Sequence, residues 1–286
     1  MRLRVLVALL VIATPAAQRP RVDKEWLGAV GQRTRAALFR STDAGPSPIL
    51  VVVLHGDLGR VDYVLATNAA NQIHGIIAAA LVRPGYTDVD GDTSDGVKGG
   101  AFGDNYTPEV LDQMDAAIRQ LKSQFHPSGV VLVGHSGGAA ISADLIARDN
   151  GLARAALLLS CPCDVPTWRK HMNTLRPNPL WDKPVTSISP MSVVSEISPK
   201  TEILMMVGDK DDIAPPEFTE RYAAALRKHG IEPHVTTLPG QGHIIVYDSA
   251  VIQELSALVA QLRHVTRASS KSRLQIQRQE SLEKGG

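Results

Sequence analysis

The stretch VVLVGHSGGAA at residues 130–140 constrains the fold more than any other part of the chain. It begins with apolar and β-branched residues, which are typical of a buried strand, and it continues into a segment that favours a helix. Between the two, Ser136 is flanked by glycines in the pattern G-x-S-x-G. This pattern places a serine on a strained turn between strand and helix, with its hydroxyl held above a sheet. Ser136 is therefore a candidate nucleophile on an α/β scaffold.

Apolar, β-rich runs alternate with helical patterns along the rest of the chain. This alternation predicts an α/β fold with a mostly parallel twisted sheet of about eight strands and helices on both faces. Predicted strands cover residues 48–56, 75–82, 129–134, 155–160, 202–208 and 233–239, and an antiparallel edge strand or hairpin is expected within 31–42. Predicted helices cover residues 61–74, 107–125, 138–149, 215–230 and 249–265, and Thr107 is the expected N-cap of the second.

One large domain is expected, because 286 residues with 44% hydrophobic content are enough to bury a sizeable core. We assign residues 18–265 to that domain, with a short insertion at 161–201 and hence a minimal cap. Residues 1–17 have the basic start, apolar run and small-residue end of a secretory signal peptide, so we expect a periplasmic or secreted protein. Residues 266–286 are polar and lack an apolar face, which predicts a flexible tail.

Charge and hydropathy limit the classes of partner. A formal net charge of +1 gives no field that would attract nucleic acid, so no nucleic-acid partner is expected. The apolar run at residues 5–13 is well short of the roughly 20 residues that span a bilayer, so no stable membrane insertion is expected. The expected partner is a small-molecule or acyl-ester substrate. The oligomeric state is left open.

The two cysteines, Cys161 and Cys163, are separated by one proline. A disulfide across so short a loop would be strained, and two thiolates alone do not complete a tetrahedral zinc site. We interpret both as small buried side chains and assign them no redox role.

A serine nucleophile needs a base that takes its proton and an acid that orients the base. Acidic residues follow a predicted strand in MMVGDKDDIAPP, and His243 lies in the glycine-flanked loop LPGQGHIIV after the last strand. The chain order is therefore serine, aspartate, histidine, which is typical of hydrolases with an α/β fold. From the residues alone, Asp209, Asp211 and Asp212 are all candidates for the acid.

Residues 28–262 resemble the α/β-hydrolase superfamily. Within them, SPMSVVSEI, ILMMVGDKDDIAPP and GQGH are similar to segments of small exported esterases and of the catalytic domain of the prolyl oligopeptidase family. The resemblance implies that Asp211 is the triad acid, with Asp212 as the close alternative and Asp209 as a turn residue. His243 is then the catalytic base.

Acyl transfer also needs hydrogen-bond donors for the oxyanion of the tetrahedral intermediate. The backbone N–H of Gly137, directly after the candidate nucleophile, is one expected donor. The segment HGDLG resembles the HG-x loop of the superfamily, which implies the N–H of Asp57 as the second donor, with Leu58 as the alternative. By the same resemblance, His55 and His135 are structural.

No cofactor and no metal are expected. The segment DVDGDTSDG is similar to a calcium loop, but Gly91 occupies an unsuitable position and no glutamate closes the ring at Gly99. The segment GVKGG lacks the residues of a phosphate-binding loop.

The expected function is an exported serine hydrolase that cleaves carboxylic esters through an acyl-enzyme on Ser136. The alternatives are a serine peptidase or amidase of prolyl oligopeptidase type, an acyltransferase, and a non-catalytic binding protein with the same fold. The long Gly- and Asp-rich loop 84–105 and the insertion 161–201 are expected to shape the site. The acidic residues 88–95 should disfavour polyanionic substrates. Four apolar side chains of the insertion either line a substrate pocket or form its own small core: Trp168, Met172, Trp181 and Met191.

Overall fold

Eight strands form one sheet in the computed structural model, which describes residues 21–57 and 63–264. The strands are β1 Arg21–Leu27, β2 Thr34–Arg40, β3 Ile49–Leu54, β4 Ile76–Leu81, β5 Gly129–His135, β6 Ala155–Leu159, β7 Glu202–Gly208 and β8 His234–Leu238. Their order across the sheet is β1-β2-β4-β3-β5-β6-β7-β8. All pairs from β4 to β8 in this order are parallel, so the mostly parallel sheet predicted from the sequence is confirmed.

The antiparallel edge consists of β1 and β2. The hairpin expected within residues 31–42 involves β2, but β2 lies between β1 and β4, so β1 is the edge strand. The segment RVDKEWL of β1 carries four charged residues, as is common where an edge strand faces water. The strand was not predicted from the sequence because these charged residues interrupt the apolar pattern of a strand.

Helices cover both faces of the sheet. They are α1 Val64–Gln72, α2 Pro108–Phe125, α3 Gly137–Arg148, α4 Val165–Leu175, α5 Pro190–Val193, α6 Pro216–Lys228 and α7, residues 249–264. Apolar side chains of α1 and α7 pack on one face, and those of α2, α3 and α6 pack on the other. The central strands are buried on both faces, which explains their continuous apolar sequence.

The longest helix of the described residues, α2, begins as its sequence predicts. The hydroxyl of Thr107 accepts a hydrogen bond from the N–H of Val110, and Pro108 occupies the first turn. This N-cap defines where α2 begins, shortly after the end of the loop 84–105.

The insertion 161–201 begins with a disulfide between Cys161 and Cys163. The expectation of two unlinked cysteines was therefore wrong. The Cα atoms are 5.2 Å apart, which lies inside the usual span of a disulfide, because the chain turns sharply as it leaves β6. The insertion continues through α4, a 3₁₀ turn at Pro179–Trp181 and α5.

The signal peptide predicted at residues 1–17 and the tail predicted at 266–286 lie outside the described residues. Within residues 21–57 and 63–264, no helix combines the length and the apolar character needed to cross a membrane.

Candidate active site

Ser136 occupies the sharp turn between β5 and α3. Its backbone has φ 53° and ψ −120°, a conformation that L residues rarely adopt. A Cβ at Gly134 would lie 2.2 Å from the carbonyl oxygen of Gly138, and a Cβ at Gly138 would lie 2.1 Å from that of Leu54. The glycines are required because the backbone crosses itself at this turn. The strained turn predicted from G-x-S-x-G is therefore present.

A chain of hydrogen bonds connects Ser136, His243 and Asp211. The Oγ of Ser136 lies 3.0 Å from Nε2 of His243. The Nδ1 of the same ring lies 2.9 Å from Oδ2 and 3.0 Å from Oδ1 of Asp211. The three side chains follow the carboxyl ends of β5, β7 and β8, and these ends lie on the same side of the sheet because the strands are parallel. This geometry allows the imidazole to take the serine proton while the carboxylate holds the ring.

The carboxylate of Asp211 is fixed by the backbone beyond β7. Its Oδ1 also accepts hydrogen bonds from the N–H groups of Ile213 at 3.0 Å and Ala214 at 2.8 Å. The residue is 3% exposed. Asp211 is thus the aspartate that the structure brings to His243.

The other two candidate acids lie elsewhere. Asp212 is exposed, and its backbone carbonyl, not its side chain, lies 2.7 Å from Nε2 of His171. The carboxylate of Asp209 accepts a hydrogen bond from the N–H of Gly240 at 2.7 Å, as a turn residue does. Neither side chain contacts His243 among the described residues.

His243 is placed by close backbone contact and by a second histidine. A Cβ at Gly208 would lie 2.2 Å from the carbonyl oxygen of Gln241, so glycine is needed where the loop crosses the end of β7. Nε2 of His135 lies 2.9 Å from the carbonyl oxygen of His243, and the two rings are 5.0 Å apart. Burial lowers the pKa of His135 to about 4. His135 is therefore a neutral donor that supports the loop.

The two residues expected to supply oxyanion donors, Asp57 and Gly137, lie side by side. A Cβ at Gly137 would lie 2.2 Å from Oδ1 of Asp57, so the loop after β3 touches the start of α3. Among the described residues, no acceptor takes the N–H of either Asp57 or Gly137. Leu58, the alternative donor, lies outside the described residues.

The side chain of Asp57 belongs to a buried ion pair with Arg83 that no sequence motif indicated. Its Oδ1 accepts a hydrogen bond from Nη1 of Arg83 at 2.7 Å, and its Oδ2 accepts one from the hydroxyl of Tyr106 at 2.6 Å. Arg83 is 1% exposed and also donates to the carbonyl oxygens of His55 and Asn105. Burial opposes ionisation of Asp57, but Arg83 and Tyr106 outweigh it and lower the pKa of the carboxyl.

His55 contributes structure at the same place. Its Nδ1 donates to the carbonyl oxygen of Gly56 at 2.7 Å, and its Nε2 accepts from the N–H of Arg83 at 3.0 Å. Burial and, to a smaller extent, the charge of Arg83 lower the pKa of His55 to about 3. The imidazole is therefore neutral and joins the loop after β3 to the loop after β4.

A cavity of about 700 Å³ opens beside Ser136 and His243. Trp168, Met172 and Trp181 of the insertion line it. Trp168 and Met172 also form a small apolar cluster with Phe218. These side chains therefore line the pocket and also belong to a small core, which were the two interpretations offered from the sequence. Met191 is not among the lining residues; it packs against the main core instead.

The fold and this constellation define an α/β-hydrolase. Residues 98–268 match the sequence model of the prolyl oligopeptidase family. The chain belongs to that family of serine hydrolases. No curated protein sequence matches the chain significantly.

Solved structures show the same fold at low sequence identity. A puromycin-hydrolyzing peptidase from Mycobacterium tuberculosis is 19% identical with a TM-score of 0.70, over 89% of this chain and 40% of that one. The acylaminoacyl peptidase of Pyrococcus horikoshii is 12% identical with a TM-score of 0.64, over 85% of this chain and 41% of that one. Est1E from Butyrivibrio proteoclasticus is 17% identical with a TM-score of 0.62, over 86% of this chain and 99% of that one. The chain thus spans less than half of either peptidase and nearly the full length of Est1E.

Proposed function

We propose that this protein is an exported serine hydrolase that cleaves carboxylic esters through an acyl-enzyme on Ser136. The observation that carries the proposal is the hydrogen-bond chain from Oγ of Ser136 through His243 to Asp211, with separations of 3.0 and 2.9 Å. A serine at this reach from an oriented imidazole is an activated nucleophile.

The reaction follows from the positions of these groups. Nε2 of His243 takes the hydroxyl proton of Ser136 as Oγ attacks the ester carbonyl carbon. The N–H groups of Asp57 and Gly137 stabilise the resulting oxyanion. The intermediate collapses, His243 gives the proton to the leaving alcohol, and the acyl group stays on Ser136. Water, activated by the same imidazole, then releases the acid.

An ester substrate is supported by the aromatic and aliphatic lining of the cavity and by the likeness in fold to esterase PE8, which is 18% identical with a TM-score of 0.58 over 79% of this chain and 97% of that one. The second candidate is a serine peptidase or amidase. The family itself and the two peptidases similar in fold favour this candidate. The two activities share the triad and differ in the leaving group.

Export is supported by the disulfide between Cys161 and Cys163. Disulfides persist in oxidising compartments such as the periplasm and are rare in a reducing cytosol. Sequencing the N-terminus of protein recovered from the periplasm or medium of the producing cell would test this part of the proposal. Recovery of the whole protein from the cytosol with Met1 intact would contradict it.

The test of function pairs active-site labelling with substrate panels. A fluorophosphonate probe should label the protein, and the label should map to Ser136. Nitrophenyl esters of increasing acyl length should be hydrolysed faster than dipeptide nitroanilides. Faster cleavage of the nitroanilides would favour the peptidase, and ester products formed with added alcohol would favour an acyltransferase.

Ser136→Ala is the control for both measurements, because it removes the nucleophile without adding volume. It should lower kcat by about 10⁴ to 10⁶ and abolish labelling, with an unchanged circular dichroism spectrum. Activity within tenfold of the unmodified protein would show that a different residue performs the chemistry.

A further inference from the structure

The loop 84–105 divides into an acidic half and a half that contributes to the cavity. In the acidic half, each carboxylate has a partner on a neighbouring element. Asp90 pairs with Lys24, Asp92 with Arg35 at 2.8 Å, Asp95 with Arg33 at 3.1 Å, and Asp88 accepts from the hydroxyl of Tyr63. Basic residues of the β1–β2 hairpin therefore neutralise most of this charge. The expectation that residues 88–95 disfavour polyanionic substrates took no account of this pairing.

Lys98, in the other half, has no such partner. None of the ion pairs among the described residues involves Lys98. Its Nζ lies 4.1 Å from the ring centroid of Tyr86 instead, a cation–π contact that holds the ammonium group without neutralising it. Lys98 and Tyr86 both line the cavity.

The backbone of the loop holds Lys98 in this position. Gly85 has φ +72°, and a Cβ there would lie 2.8 Å from the backbone nitrogen of Lys98. Tyr86 is 2% exposed, and its ring meets that of His55 edge-on at 4.8 Å. Lys98 is thus seated on a buried ring that contacts the loop of the expected oxyanion donor.

The cavity carries uncompensated positive charge. Among its described lining residues, Asp57 has the one carboxylate, and Arg83 pairs with that carboxylate. Burial keeps the lining histidines His55 and His135 neutral, because it lowers their pKa values to about 3 and about 4. Arg176 is a second lining cation without an ion pair among the described residues.

Aromatic side chains form a connected apolar part of the wall. The rings of Phe102 and Trp181 are 4.8 Å apart, and those of Trp168 and Trp181 are 5.5 Å apart. A Cβ at Gly103 would lie 2.9 Å from the ring of Trp168, so the loop packs tightly against the insertion. The cavity therefore offers an apolar surface together with two cations.

We propose that Lys98 and Arg176 bind a carboxylate of the substrate, so that the preferred esters combine an apolar portion with one anionic group. This inference rests on the proposed esterase function and adds the class of substrate. Positive charge without a protein partner attracts an anion, and the neighbouring apolar wall binds the chain that carries it.

Matched chromogenic esters test the preference. The mono-nitrophenyl ester of adipic acid and nitrophenyl hexanoate have acyl chains of equal length, and only the first ends in a carboxylate. A second pair, carboxy-nitrophenyl butyrate and nitrophenyl butyrate, places the charge on the leaving group. Wild-type protein should have a KM up to about fivefold lower for the anionic member of at least one pair, as expected for an ion pair with the exposed side chains of Lys98 and Arg176.

Lys98→Met and Arg176→Met should each raise KM for the anionic ester by a larger factor than KM for the neutral ester of the same pair, and so remove part of this preference. Lys228→Met is the matched control, because Lys228 is exposed on α6 and does not line the cavity. It should leave both values unchanged. Added salt should raise KM for the anionic ester alone.

A binding measurement separates this inference from the proposed reaction. Ser136→Ala protein should bind phenylhexanoate several-fold more tightly than phenylhexanol by calorimetry, and adding Lys98→Met should reduce the difference. Equal binding, or equal KM values within both ester pairs, would overturn the inference. Failure of the wild-type protein to hydrolyse any ester, with the binding preference present, would overturn the proposed function and leave the anion site standing.

Discussion

The two sides of the cavity are built in different ways. On the catalytic side, the backbone crossings at Gly134, Gly138 and Gly208 leave no room for a Cβ, with carbonyl oxygens as close as 2.1 Å. On the opposite side, loop 84–105 and the insertion 161–201 meet mainly through side chains, as in the ring contact of Phe102 and Trp181, with a backbone hydrogen bond from the N–H of Phe102 to the carbonyl oxygen of Leu180 beside it. The catalytic groups are therefore fixed by backbone crossings. The loop 84–105 has a backbone crossing of its own, because a Cβ at Gly99 would lie 1.7 Å from the carbonyl oxygen of Asp104, but its contact with the insertion rests mainly on side chains.

The largest expected effect separates two neighbouring aspartates on the catalytic side. Asp211→Asn should lower kcat by about 10⁴, because an amide does not hold His243 in the tautomer that accepts the serine proton. Asp212→Asn should stay within about threefold, because its exposed carboxylate makes no contact with the imidazole. Steady-state kinetics on one nitrophenyl ester would compare the two. The opposite ranking would assign the acid to Asp212.

The next effect concerns the ion pair beneath the expected oxyanion site. Arg83→Met should lower the free energy of unfolding by about 3 kcal/mol, because it leaves the carboxylate of Asp57 without its cation in a buried place. Arg227→Met, which breaks the exposed pair with Glu232, should cost less than about 1 kcal/mol.

Urea unfolding measures both variants. The double variant Arg83→Met with Asp57→Asn should recover part of the loss, because the unpaired charge is then removed. Equal losses for Arg83→Met and Arg227→Met would show that burial does not distinguish the two pairs.

A smaller effect is expected from the buried histidine beside the nucleophile. Burial lowers the pKa of His135 to about 4, so between about pH 6.5 and 4 the unfolded chain takes up a proton that the folded protein does not. Stability should fall as the pH is lowered through this range, by about 1 kcal/mol per pH unit for one such group.

His135→Asn should show a shallower loss of stability between pH 6.5 and 5 than the unmodified protein, in urea unfolding at several pH values. His229→Asn changes an exposed histidine and should keep the original slope. Identical slopes for all three proteins would mean that His135 is protonated in the fold.

The smallest effect concerns the contribution of the apolar cavity wall to substrate binding. Trp181→Ala should raise KM for nitrophenyl hexanoate by about fivefold, because it removes apolar area from the cavity, and should leave kcat within about twofold. Trp26→Ala is a control, since Trp26 lies on β1 and does not line the cavity. A large fall in kcat for Trp181→Ala would show that the wall also positions the catalytic groups.

The sequence predicted the catalytic side better than the wall because backbone crossings leave a pattern. G-x-S-x-G and the segment MMVG carry the glycines that the crossings at residues 134, 138 and 208 require, and the structure brings Ser136, Asp211 and His243 together there. The partner of Asp57 left no comparable pattern. Arg83 lies 26 residues further along the chain, and only the packing of loops after β3 and β4 brings the two together.

The residues that form the wall of the cavity were harder to predict, because their contacts also depend on tertiary packing. Lys98 follows a run of aspartates that suggested an acidic surface, and the pairing of those aspartates with the β1–β2 hairpin depends on tertiary contacts. Strand β1 itself was missed because its charged residues concealed the strand pattern. Four apolar residues of the insertion were predicted as one set, but the sequence did not show that Trp181 lines the cavity whereas Met191 packs against the main core.

The disulfide at the start of the insertion has a practical consequence. It closes a ring around one intervening residue, and the stabilisation that a cross-link gives through the unfolded chain is smallest for short loops. Reduction should therefore leave the melting temperature almost unchanged. The insertion that follows carries Trp168 and Trp181, so the reduced protein can differ from the oxidised one in which esters it accepts. Batches of recombinant protein from reducing and oxidising hosts would pass the same folding assays and still give different substrate profiles, so intact mass should be checked before kinetic data are compared.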